Sequence, residues 1–287
     1  MRQKQNPSVL WAILAAALYA VSAPVSKLLL QDVSPTMMAA MLYLGAGSGM
    51  LLLGIGRRRL GMEKAGQRLT RKDLPFAAGM IVLDIGAPIC LMTGLTTTTS
   101  ANASLLNNFE IVATSLIALF IFKETIGKRL WLAIGLITLS SMILSFEGAS
   151  SLNFSIGSLF VLLACICWGF ENNCTRMISQ SDPLEIVVLK GFGSGLGSLA
   201  IALAIGERLP ALPFILMALL LGFVAYGLSI FFYVYAQRKL GAAKTSAYYG
   251  IAPFIGVILS FLIFRELPGP SFWAALAMMI LGTYFAA

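Results

Sequence analysis

The sequence of 287 residues contains no histidine, and only 11% of its residues are charged. The missing histidine removes the commonest general base and metal ligand. Soluble domains carry about 25% charged residues. Since 59% of this chain is apolar, it does not have the surface of a soluble enzyme or the composition of a disordered tail. An integral membrane enzyme or sensor subunit is a remote alternative, because it would need a polar constellation at a water-facing end.

Cysteine is also scarce, and its spacing carries no motif. Four cysteines lie in apolar stretches, and their spacing fits neither a zinc finger nor a disulfide framework. We therefore interpret them as small packing residues. We expect no catalytic residues, no metal site and no cofactor. The four are Cys90, Cys165, Cys167 and Cys174.

The positive net charge is the next feature to explain. Twenty Lys and Arg against 12 Asp and Glu give a net charge of +8. Proteins that bind nucleic acid carry such charge on one solvated face, and this apolar chain has almost no such face, so nucleic acid is excluded as a partner. Cytoplasmic loops of membrane proteins are also rich in Lys and Arg. The charge is therefore interpreted as a topology signal.

Long apolar runs are what the sequence has in abundance. A bilayer-spanning helix needs about 20 mostly apolar residues, and ten segments of roughly this kind occur. They predict an all-α integral membrane protein with ten transmembrane helices. The segments are Val9–Leu30, Thr36–Ile55, Pro75–Leu95, Ala101–Phe122, Leu130–Phe146, Ile156–Met177, Leu184–Ile205, Leu212–Ala236, Ala242–Phe264 and Ser271–Ala286.

The cations predict the orientation of these segments. If the N-terminus is cytoplasmic, only Lys27, Arg208 and Arg265 fall outside, while Lys190 lies within the seventh segment. The other sixteen fall inside, which favours cytoplasmic N- and C-termini in the inner (plasma) membrane. Those sixteen are Arg2, Lys4, Arg57, Arg58, Arg59, Lys64, Arg68, Arg71, Lys72, Lys123, Lys128, Arg129, Arg176, Arg238, Lys239 and Lys244.

The two halves of the chain, 1–147 and 148–287, repeat each other in order. Tyr19-Ala20 and Lys27 in the first segment match Trp168-Gly169 and Arg176 in the sixth. Further matches follow along both halves. Because each half holds five segments, the second half enters the membrane in the opposite orientation, and such inverted repeats are the architecture of many secondary transporters. The further matches are Ser34-Pro35 with Asp182-Pro183, Gly45–Gly49 with Gly191–Gly195, and Ile121–Glu124 with Ile263–Glu266.

With these residues the chain resembles the EamA-type transporters of the drug/metabolite transporter superfamily, over essentially its whole length. Glu124 and Glu266 match the acidic position of that family before a short turn, and Pro253 matches its helix-9 proline. Tyr19-Ala20 stand where Trp-Gly is usual, and Ile111 where a proline is usual. The resemblance implies transport of small metabolites, often efflux of amino acids or similar compounds, through the inner membrane by two five-helix repeats.

Four ionisable residues lie well inside the apolar segments, away from their ends, where a charge costs about 2.5–3.5 kcal/mol on insertion scales. Asp84 and Glu110 are at similar depth in the third and fourth segments, and either is a candidate to carry a coupling proton. Glu171 and Lys190 are each about seven residues from the loop that joins their helices, so their depths match and we predict an ion pair. This ion pair either has a structural role or contacts a charged substrate, and the sequence leaves both alternatives open.

Five further residues are candidates for contact with a small-molecule substrate. Asn107 lies on a polar face of the fourth segment that also carries Glu110, and Asn172 could bond substrate or another helix. Tyr19 and Trp168 occupy equivalent positions in the two repeats, and Tyr248 is one of several aromatics at the same depth as these. The others are Tyr226 and Tyr249. Alternating access, possible proton coupling, a passive uniporter or exchanger, and a homodimer in the lipid bilayer all stay open.

Overall fold

The fold is known from a computed structural model that describes residues 7–60, 66–67, 69–145, 155–265 and 268–286, with the backbone alone for residues 7 and 243. Among the described residues the chain is helical and no strand is formed, apart from one isolated bridge between Gln67 and Ser181. Five residues used in the predictions of topology and repeat lie outside the described residues. They are Arg2, Lys4, Lys64, Arg68 and Glu266.

Nine helices in the described part of the chain are long and apolar enough to cross a membrane, and we number them α1 to α9. A tenth apolar helix, α10, has 17 residues, Pro270–Ala286. All ten coincide with the predicted segments to within a few residues. The nine are Ser8–Leu29, Pro35–Arg59, Arg71–Thr97, Ser100–Phe120, Lys128–Ser145, Ile156–Ile178, Pro183–Ala204, Leu212–Leu240 and Lys244–Phe264.

The starts of α2 and α7 are fixed by matching local sequence. Each helix begins at a proline, Pro35 and Pro183, whose missing N–H is no loss in the first turn. Asp182 precedes α7, and its carboxylate accepts a hydrogen bond from the Leu184 N–H at 3.0 Å. These two turns are the Ser-Pro and Asp-Pro matches of the repeat.

Three helices are interrupted near the middle of the bundle. Helix α1 breaks between Tyr19 and Ser22, α4 between Leu106 and Phe109, and α9 between Tyr249 and Ala252. Pro24 and Pro253 have no N–H to give to the carbonyl four residues earlier, which explains the breaks in α1 and α9. The break in α4 has no proline. Pro88 lies inside α3 without interrupting it.

Two features of the backbone recur at equivalent places in α4 and α9. Lys123 and Arg265, which follow the two helices, have φ of 58° and 54°, and they are the non-glycine residues with positive φ in the described ranges. They are 142 residues apart. The breaks at Asn108 and Gly250 are separated by the same 142 residues. At these two places α4 and α9 share the spacing of the sequence matches, whereas the break in α1 has no counterpart in α6.

The packing of the helices also pairs equivalent elements. Helix α2 packs on α7, α4 on α9 and α5 on α10, while α3 packs on α6 as α1 packs on α8. The crossing of α2 and α7 is close because glycines of both helices meet there. A Cβ added at Gly191 would lie 2.4 Å from the Cα of Gly47, so no larger residue fits there.

Ion pairs and hydrogen bonds close the end of the bundle that carries most cations, which we call the basic end. Arg57 pairs with Asp182, and Arg176 with Glu124. Arg238 also donates through Nε to the Ser179 carbonyl at 2.6 Å. These contacts link the loops and helix ends at the basic end of the bundle.

The opposite end is closed by smaller contacts. Glu207 accepts from the backbone N–H groups of Thr36 and Met37, at 3.2 and 2.6 Å, at the start of α2. Ser100 and Ser260 are hydrogen-bonded at 2.9 Å between α4 and α9. Both ends of the bundle are therefore bridged in this conformation.

Candidate functional site

A cavity lies at the centre of the bundle, lined by residues of α1, α2, α4, α6, α7, α8 and α9. The space that water-sized spheres can occupy there is about 40 Å³, which is room for a few water molecules. Its wall is mostly aromatic and polar in a bundle that is otherwise apolar. Such a combination of a concave site with a few convergent polar groups is typical of small-molecule sites.

One side of this cavity is formed by a buried charge cluster. Lys190 Nζ lies 2.9 Å from Glu171 Oε1, which confirms the predicted ion pair. It also lies 2.9 Å from Asp84 Oδ2, a contact that the sequence did not predict. Tyr43 donates to Asp84 Oδ1 at 2.8 Å, and Thr175 donates to Glu171. One ammonium thus bridges two carboxylates, with side chains 5% or less exposed.

Glu110 lies on another side of the cavity and is held differently. Its Oε1 accepts a hydrogen bond from Asn172 Nδ2 at 2.7 Å, and that amide also donates to Thr114 Oγ1 at 3.3 Å. In the described part of the chain, no cation lies within ion-pair distance of Glu110. The carboxyl therefore has an amide partner and no compensating charge.

Six aromatic rings make up much of the remaining wall, with Tyr19 at their centre. Its ring centroid is 6.2 Å from that of Trp168, 5.6 Å from that of Tyr226 and 5.5 Å from that of Tyr249. Two further rings extend the network. They are Tyr43, 5.2 Å from Tyr226, and Tyr233, 5.0 Å from Tyr249.

The tyrosine hydroxyls differ in their partners. Tyr226 accepts from Ser22 Oγ at 3.0 Å, Tyr233 is bonded to Ser246 at 2.7 Å and Tyr249 to Ser229 at 3.1 Å. The buried hydroxyl of Tyr19 has no partner among the described residues. Tyr19 therefore presents both a ring face and an unused hydrogen-bonding group.

Two small cavities continue from the central one between α4 and α9 toward the end opposite the basic one. Tyr19, Glu110 and Tyr249 line both the central cavity and the first of them. Asn107 lines these two small cavities and not the central one. Asn108 lines the first, is 1% exposed, and has no hydrogen-bond partner for either amide atom among the described residues. The polar face predicted on α4 thus follows a row of cavities.

Seven of the nine candidate residues surround the central cavity or its charge cluster, and two do not. Asn107 lies in the neighbouring small cavities, and Tyr248 is absent from the lining while Tyr249 is present. Consecutive helical residues point about 100° apart, so only one of the two tyrosines can face the cavity. The seven are Tyr19, Trp168, Asn172, Asp84, Glu110, Glu171 and Lys190.

Three contributors were not singled out from the sequence. Tyr43 and Tyr233 line the cavity, and Thr175 supports Glu171. The spacing of seven residues between Tyr226 and Tyr233, which places both on one helical face, was a signal available for Tyr233. No comparable pattern marks Tyr43.

The model of the EamA-like transporter family matches the chain twice, at residues 6–146 and 155–287. The chain belongs to the EamA-like transporter family. This EamA-like chain is accordingly a multi-pass membrane transporter, and transport across a membrane is not in itself catalysis of a chemical reaction.

Relatives of this EamA-like transporter agree with that assignment. An uncharacterized transporter of Methanothermobacter thermautotrophicus is 27% identical over 275 residues, covering 88% of this chain and 78% of the relative. The uncharacterized transporter YyaM of Bacillus subtilis is 22% identical over 244 residues, covering 80% and 77%. A crystal structure with 16% sequence identity has the same fold, with a TM-score of 0.75 over 99% of this chain and 97% of its own.

Proposed function

We propose that this transporter moves small organic metabolites, amino acids or similar compounds, out of the cell through the central cavity. The observation that carries the proposal is the cavity itself, a polar and aromatic site at the centre of an apolar bundle. Transporters with internal repeats bind substrate near the membrane midplane, where the repeats meet. Residues of both halves, 1–147 and 148–287, line this cavity, which supports such a role.

Alternating access between two inverted five-helix halves is the proposed mechanism. The matched interruptions of α4 and α9 and the paired helix contacts support inverted repeats. Two similar halves can exchange inward-open and outward-open shapes at comparable energy. Contacts bridge both ends of the bundle, and the central space is small. These features fit an occluded state, which has to widen on one side at a time.

The proposed topology places both termini and the basic end in the cytoplasm of the inner membrane. The excess of cations at the basic end supports it. Opening of the Ser100–Ser260 contact between α4 and α9 would then release substrate to the outside, along the row of small cavities.

Glu110 is the proposed proton-coupling residue. A carboxyl in the membrane that has no compensating cation is a functional candidate by default, and carboxylic side chains form proton relays in pumps and transporters. Lys190 holds Asp84 and Glu171, which supports a structural role for that cluster. A passive uniporter or exchanger of metabolites is the alternative function.

Uptake into proteoliposomes, with a panel of amino acids and amines and with or without a pH gradient, tests these proposals. Transport of a solute that is accelerated by the gradient supports coupling. Transport that no gradient affects would leave the passive uniporter or exchanger. No transport of any tested compound would contradict the proposed cargo class.

A further inference from the structure

We propose that the cargo is an organic monocation, an ammonium compound with an aromatic or apolar body, that takes the place of the proton on Glu110. The inference rests on the proposed function and narrows its cargo class from small organic metabolites to organic cations, so that zwitterionic amino acids fall outside it. It depends on the charge balance of the cavity, the aromatic wall and the unpartnered polar groups beside Glu110.

The charge balance disfavours an anion. The cavity and its charge cluster hold three carboxyl groups, Asp84, Glu110 and Glu171, against the single ammonium of Lys190. Lys190 is already bound by two carboxylates, so a substrate carboxylate would have to displace one of them. A buried charge needs a partner of opposite sign. Among the described residues, Glu110 is the carboxyl of this cavity that has no cation within ion-pair distance.

The aromatic wall favours a cation with an apolar body. The faces of Tyr and Trp rings attract cations, and aromatic cages are the common sites for quaternary ammonium ligands. Tyr19, Trp168 and Tyr249 line the cavity with Glu110 and contact one another through the ring of Tyr19. A ligand that places its ammonium near Glu110 would lay its body against these rings.

Two unused polar groups point to a ligand beside Glu110. The amide of Asn108, 1% exposed, and the hydroxyl of Tyr19 have no partners among the described residues. Both belong to the small cavity that Glu110 and Tyr249 also line. Buried polar groups are nearly always hydrogen-bonded, so these two are suited to bind water or a polar part of the cargo.

The exchange balances in charge. When the cavity is empty, Glu110 carries a proton, and the Asp84–Lys190–Glu171 cluster keeps its charge in both states. When an organic monocation binds, the proton leaves Glu110 and the carboxylate pairs with the ammonium. One cation therefore replaces one proton, and protons and cargo compete for the same carboxyl.

Binding to the purified full chain tests the inference separately from transport. Four probes share a phenyl body: trimethyl(2-phenylethyl)ammonium, 3-phenylpropionate, 2-phenylethanol and L-phenylalanine. Thermal stabilisation of the wild type, Glu110→Gln and the control Asp73→Asn is measured at pH 5 and pH 8. Asp73 is a partly exposed residue outside the cavity, so its carboxylate is lost without touching the site.

We expect the ammonium probe alone to stabilise the wild type and Asp73→Asn, and to do so more at pH 8 than at pH 5. Its affinity should fall about 30-fold or more in Glu110→Gln, because the charge partner is lost. Stabilisation by 3-phenylpropionate or L-phenylalanine, without the ammonium probe, would overturn the inference, as would equal binding in Glu110→Gln.

Parallel uptake assays separate the two proposals. Binding of the ammonium probe through Glu110 without its transport would support the cation site and contradict the proposed transport through it. Transport of a zwitterion or an anion by a chain that does not bind the ammonium probe would support the transport function and overturn the inferred substrate class.

Discussion

The central cavity and its charge cluster contain two acidic regions, and these differ in the partners of their carboxyl groups. Asp84 and Glu171 share the ammonium of Lys190, with Tyr43 and Thr175 as further donors. Glu110 has the neutral amide of Asn172 and no cation. Each carboxyl of the first region has an ammonium contact and a hydroxyl donor, although the single ammonium balances the charge of only one carboxylate. The carboxyl of the second region has an amide donor and, among the described residues, no ammonium contact.

The difference indicates which carboxyl can gain a proton or bind a substrate without breaking an ion pair. Removing one partner from a buried ion pair is strongly destabilising, because the other charge stays buried without compensation. A proton or a substrate that acted on Asp84 or Glu171 would have to break an ion pair with Lys190. At Glu110 it would break none. We therefore expect mutations in the cluster to change stability and mutations at Glu110 to change transport.

Removal of the ammonium should have the largest effect. We expect Lys190→Met to lose about 3–5 kcal/mol of stability, because two carboxylates lose their shared cation. Thermal unfolding of the detergent-solubilised protein measures it. The triple variant with Asp84→Asn and Glu171→Gln should recover most of the loss, since it leaves no charge in the cluster. Wild-type stability of Lys190→Met would contradict a structural cluster.

Neutralising Glu110 should spare the fold and remove the coupling. Glu110→Gln keeps the size of the side chain and can still bond Asn172, so we expect a stability change of about 1 kcal/mol or less. Transport should no longer respond to a pH gradient. Uptake into proteoliposomes with and without the gradient measures this, and Glu110→Asp, which keeps a carboxyl, is the matched control. Normal pH dependence in Glu110→Gln would show that another group couples.

The aromatic wall offers a comparison within one residue type. Tyr19→Leu should weaken cargo affinity about 2- to 30-fold, the range of a cation–π contact of about 0.5–2 kcal/mol. Tyr248→Leu, which changes a tyrosine that does not line the cavity, should leave affinity unchanged. Titration by thermal stabilisation measures both. An equal loss in the two variants would mean that the wall does not contact the cargo.

Substitution of one hydrogen-bond donor in each acidic region should have the smallest and most specific effects. Thr175→Val removes a donor to Glu171, and we expect about 1 kcal/mol of lost stability with unchanged coupling. Asn172→Leu removes the donor to Glu110 and should slow gradient-driven transport, because the carboxyl loses its orientation. Unfolding and uptake assays on both variants check the contrast. A coupling defect in Thr175→Val would contradict the assignment of coupling to Glu110 and of stability to the charge cluster.

Sequence reasoning predicted the helices and part of the site for clear reasons. Ten apolar segments of membrane length define where helices lie, and equal distance from a shared loop predicted the Glu171–Lys190 pair. Depth in the membrane can be counted along a helix. Lateral position cannot, and this is why the contact of Asp84 with the same ammonium was not predicted.

The rotation of a broken helix about its axis could not be predicted from the sequence either. Tyr248 and Tyr249 have the same depth, and the break in α9 just after them removes the regular phase that would have told them apart. Asn107 lies in the break of α4 itself and lines a neighbouring cavity. Both positions depend on tertiary packing of broken helices, which no single-sequence pattern records.

Accumulation of radiolabelled trimethyl(2-phenylethyl)ammonium in proteoliposomes tests the central claim most directly. The vesicles hold wild-type protein or Glu110→Gln, with a proton gradient imposed and the membrane potential clamped to zero. The account predicts accumulation against the cation's own gradient by the wild type and none by Glu110→Gln. Gradient-driven accumulation that persists in Glu110→Gln would contradict it, because the uncompensated carboxyl would then not be where proton and cargo exchange.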